Sequence, residues 1–203
     1  MCHAQVQNYL KKIKRLYPEH FWRVRVLDCG SLDINGSNRD LWNLESGYTG
    51  IDLAPGKNVN IVMRMEDADW PDEHFHVTIS TECFEHNPKW REGLLNMIRM
   101  LRPGGLIVVT CAKDPRVEHG TRKIAPDASP FTCDNDYYQN LTERDFREVL
   151  DLDKFSYFEF ESNEDPGDLY FHALKKGKLW HGCTCGESLC NPEQLPWLVK
   201  SNI

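Results

Sequence analysis

The stretch Val24-Arg-Val-Leu-Asp-Cys-Gly-Ser-Leu-Asp-Ile-Asn-Gly-Ser37, followed by Tyr48-Thr-Gly-Ile-Asp-Leu53, decides the fold class of this chain. An apolar strand runs into an acid, Asp28, and then into a tight turn at Gly30. A helix start follows, and a second strand ends on another acid, Asp52. This order is how an α/β sheet builds a nucleotide crevice at the carboxyl ends of its first two strands. Asp52 stands 22 residues beyond Gly30, close to the offset of about 20 at which an acid reaches ribose hydroxyls. A glycine loop alone is a weak signal; the ordered pair of loop and acid is a much better one.

The same alternation extends in both directions. Val6, Leu10, Ile13 and Tyr17 recur at helical spacing over residues 4–17, with Lys11, Lys12, Lys14 and Arg15 on the other faces, and Pro18 ends the helix. Strands are predicted over 23–28, 48–52, 60–63 and 75–80. A helix capped by Ser37 or Asn38 is predicted to run to about Glu45, and another from Pro88 to Leu101 with Trp90, Leu94, Ile98 and Leu101 on one stripe. Arg102-Pro-Gly-Gly105 stops that helix. Leu106–Cys111 is a continuous apolar run, the mark of a strand buried on both faces. Strands alternating with helices imply a mostly parallel sheet. Residues 113–140 carry little periodicity and read as a long loop, of a length that in a compact domain is usually functional or disordered. A helix capped by Thr142 follows, then two strands (155–160 and 168–174) joined by Asn-Glu-Asp-Pro-Gly as a terminal hairpin. The expected organisation is one domain over residues 1–175 and a cysteine-containing C-terminal appendage over 176–203.

Composition bounds the function. The 203 residues are 40% hydrophobic and 27% charged, which is the globular range. A net charge of −7 gives no overall electrostatic footprint for nucleic acid. Residues 1–9 lack the apolar core of a signal peptide, and the longest apolar run, around Leu106–Val109, is far too short to cross a bilayer. The expectation is a soluble, cytoplasmic protein that does not engage membranes. Of eight cysteines, Cys29, Cys83 and Cys111 fall at or beside strand ends as small buried hydrophobes, so free thiols are expected.

Four segments carry a family resemblance: Val26-Leu-Asp-Cys-Gly30, Tyr48-Thr-Gly-Ile-Asp52, Val77-Thr-Ile-Ser-Thr-Glu-Cys-Phe-Glu-His86 and Leu101-Arg-Pro-Gly-Gly-Leu-Ile-Val108. With the terminal hairpin, residues 22–175 resemble the class I, Rossmann-like methyltransferases that use S-adenosylmethionine, particularly the type 11 group. The resemblance implies a mostly parallel seven-stranded sheet with an antiparallel terminal hairpin strand and helices on both faces. It also implies site residues. Asp28 would attract the cofactor's amino group, directly or through water. Gly30 would let the backbone approach, Ser31 would donate to the carboxylate, and Asp52, beside Leu53, would accept both ribose hydroxyls. Asp67-Ala68 would meet adenine, with Glu66 the alternative. Thr81 and Glu82 would border the methionine end and the substrate opening. The chain departs from the family's loop of three alternating glycines, because Gly30 is followed by Ser31-Leu-Asp-Ile-Asn-Gly36.

The loop 113–140 stands where such enzymes form a lid, and His119 within it is the candidate catalytic base for an oxygen or nitrogen acceptor. The expected acceptor is a small molecule, sugar or lipid precursor. An Asp/Asn-Pro-Pro-aromatic motif for exocyclic amines of bases is replaced by Ser-Thr-Glu-Cys, which disfavours nucleic acid. A protein acceptor and a non-catalytic cofactor-binding module stay open, while a nicotinamide-dependent dehydrogenase leaves the Glu-His and Arg-Pro-Gly-Gly segments unexplained. His181, Cys183, Cys185 and Cys190 supply four soft ligands within ten residues. Their spacing lacks the paired C-x-x-C of zinc sites, so the metal assignment there stays open.

Overall fold

Seven apolar runs pair edge to edge in the computed structural model, which describes residues 3–43 and 46–178. β1 (Arg25–Cys29) pairs in parallel with β2 (Gly47–Asp52) and with β4 (Phe75–Thr81). The short β3 (Ile61–Val62) extends the sheet beyond β2, and β5 (Leu101–Ala112) lies parallel to β4. β7 (Asp168–Lys175) runs antiparallel to β5 and carries β6 (Phe155–Asn163) at the edge. The order β3-β2-β1-β4-β5-β7-β6 reverses between β1 and β4. In open α/β sheets, ligands bind beyond the strand ends at such a reversal.

Side chains alternate across this sheet and split the core in two. Val26, Val77, Ile79 and Val108 meet Val6, Leu10 and Ile13 of α1 (Ala4–Leu16) on one face. Leu27, Phe75, Ile107 and Phe171 meet α2 (Trp90–Met100) and Phe146 of α3 (Glu143–Val149) on the other. Every residue of β4 is buried, as a central strand covered on both faces requires. The architecture is therefore the Rossmann-like, mostly parallel seven-stranded sheet with an antiparallel hairpin, with helices on both faces.

Two local expectations need correction. The helix predicted from Ser37 or Asn38 is only a 3-10 turn, Arg39–Leu41. The next residue, Trp42, stacks on Phe21 at 4.8 Å and donates its Nε1–H to the His20 carbonyl, so packing rather than capping sets this backbone. The strand expected over Leu106–Cys111 begins earlier: α2 ends at Met100, as expected ahead of Arg102-Pro-Gly-Gly105, but that segment lies within β5, which starts at Leu101 opposite Phe75. By contrast, α3 has the expected cap: Asp145 N–H donates to Thr142 Oγ1 at 3.3 Å, and Thr142 N–H donates to Asp145 Oδ2 at 2.8 Å. Glu45 and the tail residues His181, Cys183, Cys185 and Cys190 lie outside the described residues. Among the described residues no helix is long and apolar enough to cross a membrane.

Candidate functional site

The chain leaves β1 through Gly30, whose φ is +83°. A Cβ there would lie 2.6 Å from Cys83 Sγ, so only glycine lets this turn abut the exit of β4. Gly30 and Ser31 both donate their N–H to the Ile51 carbonyl, at 2.9 and 3.1 Å. Leu32 N–H then donates to Asp52 Oδ2 at 3.0 Å, and Leu53 N–H donates to Asp52 Oδ1 at 2.7 Å. One backbone donor on each oxygen fixes the plane of the carboxylate and leaves each oxygen further accepting capacity. Burial raises the Asp52 pKa above the usual carboxylate value, while these two N–H groups oppose the rise.

Asp52 lies on the wall of a cleft enclosing about 840 Å³, its open mouth included. Gly30, Leu53, Thr81 and Glu82 share the wall. Thr81 Oγ1 accepts from Asn38 Nδ2 at 2.8 Å. Glu82 sits at φ +52° directly after β4, and its Oε1 accepts from Thr110 Oγ1 at 2.9 Å.

The other expected residues lie off that wall. Asp28 is 2% exposed, and the Tyr48 hydroxyl donates to its Oδ2. Burial pushes its carboxyl up to about 7, against the hydrogen bond from Tyr48. An acid whose folded pKa is raised holds its proton in the folded state while the unfolded chain has released it. Its contribution to stability therefore falls as pH climbs from near 4 to about 7. Asp28→Asn is expected to raise the melting temperature relative to the parent more at pH 8 than at pH 5. A difference independent of pH would refute this.

Ser31 is buried and spends its hydroxyl hydrogen on the Asn58 carbonyl at 3.2 Å, which leaves nothing to donate to a carboxylate. Asp67 is exposed and outside the cleft. Ala68 is buried, its N–H directed at the Met65 carbonyl (3.4 Å) and its carbonyl taken by Asn96 Nδ2 (2.8 Å). The cause is the 3-10 turn Met65–Asp67. At three residues per turn, neighbouring side chains point about 120° apart, and it is Glu66 that reaches the wall. Glu66 Oε2 accepts from Asn87 Nδ2 at 3.4 Å, and Arg64 lies 3.8 Å from its Oε1.

The cleft is also lined by His86, which ends the 3-10 turn Phe84–His86 after β4, and by residues of the long loop between Ala128 and Asn135. His119 does not line it. Its ring lies edge-on behind His86, centroids 4.9 Å apart, and equally close to Tyr138. The histidine that reaches the cleft is His86. Burial holds His86 down to about 3 and lowers His119 as well. Next to His86, burial pushes Glu85 up to about 8, and the nearby Glu82 adds to the rise. The sequence reading missed His86 and Phe131 as wall residues. The Glu-His pair was visible, but its orientation depends on how the 113–140 loop folds back.

Residues 27–109 match the family model described as a methyltransferase domain. Among curated proteins none matches the chain. The fold is similar to that of the 1,6-didemethyltoxoflavin-N1-methyltransferase of Burkholderia thailandensis, solved with 1,6-didemethyltoxoflavin and S-adenosylhomocysteine. The identity is 17% over 80% of this chain and 76% of that one, with a TM-score of 0.57. A second neighbour is phosphoethanolamine N-methyltransferase 2 of Haemonchus contortus, solved with phosphomonomethylethanolamine and S-adenosylhomocysteine. It is 16% identical over 84% of this chain, which spans only 53% of that protein, with a TM-score of 0.58. A third, a SAM-dependent methyltransferase of Archaeoglobus fulgidus, is 17% identical over 83% and 94% of the two chains, with a TM-score of 0.57.

Proposed function

We propose that the chain is an S-adenosylmethionine-dependent methyltransferase, a reading supported by the match of residues 27–109 to a methyltransferase domain model, and that it methylates an oxygen or nitrogen of a small molecule, sugar or lipid precursor. The observation that carries this reading is the cleft itself. It lies at the strand-order reversal and is lined both by the oriented Asp52 carboxylate and by residues 128–135 of the long loop.

In this reading Asp52 accepts the two ribose hydroxyls. Adenine lies against Leu53 and Met63, with Glu66 accepting from its exocyclic amine. Gly30, Thr81 and Glu82 border the methionine end. Asp28 acts from beneath the Gly30 turn, through water rather than by direct contact, and Ser31 holds the loop through Asn58. The acceptor enters between His86 and residues 128–135. In-line transfer depends chiefly on holding nucleophile, methyl carbon and sulfur in line. A walled cleft that excludes water serves this purpose.

Labelled methyl transfer from S-adenosylmethionine, screened over small hydroxyl and amine acceptors beside intact proteins, tests the acceptor class. Label in the low-molecular-weight fraction is expected; label confined to protein would overturn the small-molecule reading. Closure also has its own test. Amides over 126–135 are expected to gain hydrogen-exchange protection when cofactor and acceptor are both bound. Equal protection with and without ligands would remove the lid from the account.

A further inference from the structure

We propose that Glu85, His86 and His119 hold one divalent transition-metal ion, zinc by preference, at the edge of the cleft. One carboxylate oxygen of Glu85 and one ring nitrogen from each histidine all lie within 4.8 Å of one another. Glu85 has no solvent exposure, and neither of its oxygens accepts a hydrogen bond from another described residue. His86 is 5% exposed, and its Nδ1 likewise has no partner. A buried carboxyl group that no other residue bonds is costly, and a cation gives its oxygens a partner.

Two other groups of acids and histidines lie equally close together, and both are already served. In the first, Arg116 bonds Asp168 at 2.6 Å and lies 3.5 Å from Glu82, with His3 alongside. In the second, Lys12 bonds Glu161 at 2.6 Å, and the hydroxyls of Tyr9 and Tyr17 lie 3.0 and 3.2 Å from the ring nitrogens of His172. Glu85 has no comparable partner.

The site is also built at its outer side. Gly120 has φ +65°, and a Cβ there would lie 2.7 Å from His86 Cε1. Glycine thus permits the loop carrying His119 to close onto His86. His119 Nδ1 lies 3.0 Å from the Val117 carbonyl, which can only accept. The proton is therefore on Nδ1 and the lone pair on Nε2, the arrangement by which a carbonyl orients a metal-binding imidazole. Two imidazoles and a carboxylate suit zinc, with manganese, iron and cobalt sharing the donor preference. Ligand atoms around zinc stand about 3.3 Å apart at bond lengths of about 2.0–2.1 Å, so small side-chain shifts close the set.

Three protein ligands leave coordination open. Because His86 also lines the cleft, an acceptor oxygen or nitrogen can take the open position. That last step rests on the methyl-transfer reading; the metal site does not.

The test uses the full chain with Cys183, Cys185 and Cys190 replaced by serine, which removes the rival thiol ligands of the tail. After chelator treatment, calorimetric titration with zinc chloride is expected to give one ion per chain and a raised melting temperature. Glu85→Gln and His119→Ala, each made in that background, are expected to weaken zinc binding roughly 100-fold or more. S-adenosylmethionine binding, measured on the same proteins, is expected to persist in Glu85→Gln, which shows that the domain is folded. Absence of zinc binding in the serine background, or binding that both substitutions leave unchanged, would overturn the proposal. Zinc binding without any S-adenosylmethionine binding would instead sustain the site and refute the methyl-transfer reading.

Discussion

Phe146→Ala is expected to cost about 3–5 kcal/mol of stability, the range for deleting a fully buried aromatic ring. Phe146 has no solvent exposure and is the buried residue of α3. Its ring stands 5.5 Å from Trp90, 5.7 Å from Phe171, 5.9 Å from Phe160 and 6.2 Å from Phe84. One ring therefore joins α2, the hairpin and the turn after β4. A helix of seven residues cannot persist alone, so its docking depends on this contact. For a domain of this size, each kcal/mol moves the melting temperature by about 2–4 °C, and a fall of roughly 6–20 °C is expected. Leu95→Ala, on the exposed side of α2 at 48% exposure, should move it little. A fall of only two or three degrees for Phe146→Ala would show that the cluster repacks.

Asp52→Ala should weaken S-adenosylmethionine binding by about 1.5–3 kcal/mol, or roughly ten- to 150-fold. Two losses combine. The acceptor assigned to the ribose hydroxyls disappears, and the N–H groups of Leu32 and Leu53 lose the oxygens that hold the loop in place. Asp52→Asn keeps one carbonyl acceptor and should fall between the parent and the alanine variant. The fold should survive, since Asp52 ends β2 at the sheet rim and the core lies elsewhere. Unchanged affinity in a folded Asp52→Ala protein, followed by calorimetry, would show that the ribose lies elsewhere.

The strands were legible because their signal is local. Val26-Leu27, Val77 to Ile79 and Leu106 to Val109 are apolar runs that only a covered sheet can absorb. The ordering of Asp28, Gly30 and Asp52 pointed to the strand-end edge where the structure has a cleft lined by Gly30 and Asp52, because those residues stand at or beside strand ends. Residues 37–43 were misread because Trp42 answers to Phe21 and His20, residues distant in sequence that no local pattern reports. Asp67 was preferred over Glu66 because a shift of one residue on a tight turn exchanges the inward and outward side chains. His119 was chosen for its ring chemistry, which sequence shows, whereas its place behind His86 is set by the path of a 28-residue loop with little periodicity. Ser31 illustrates the same limit: its hydroxyl was available in the sequence, and the Asn58 carbonyl claims it in the structure.

The central claim is that the cleft beside Asp52 binds S-adenosylmethionine. Calorimetric titration of the purified chain measures this directly. The account predicts saturable binding of S-adenosylmethionine and of its demethylated product at micromolar order, about −8 kcal/mol, each raising the melting temperature, and no response to NADH. Binding and thermal stabilisation by NADH, with none by S-adenosylmethionine, would contradict it.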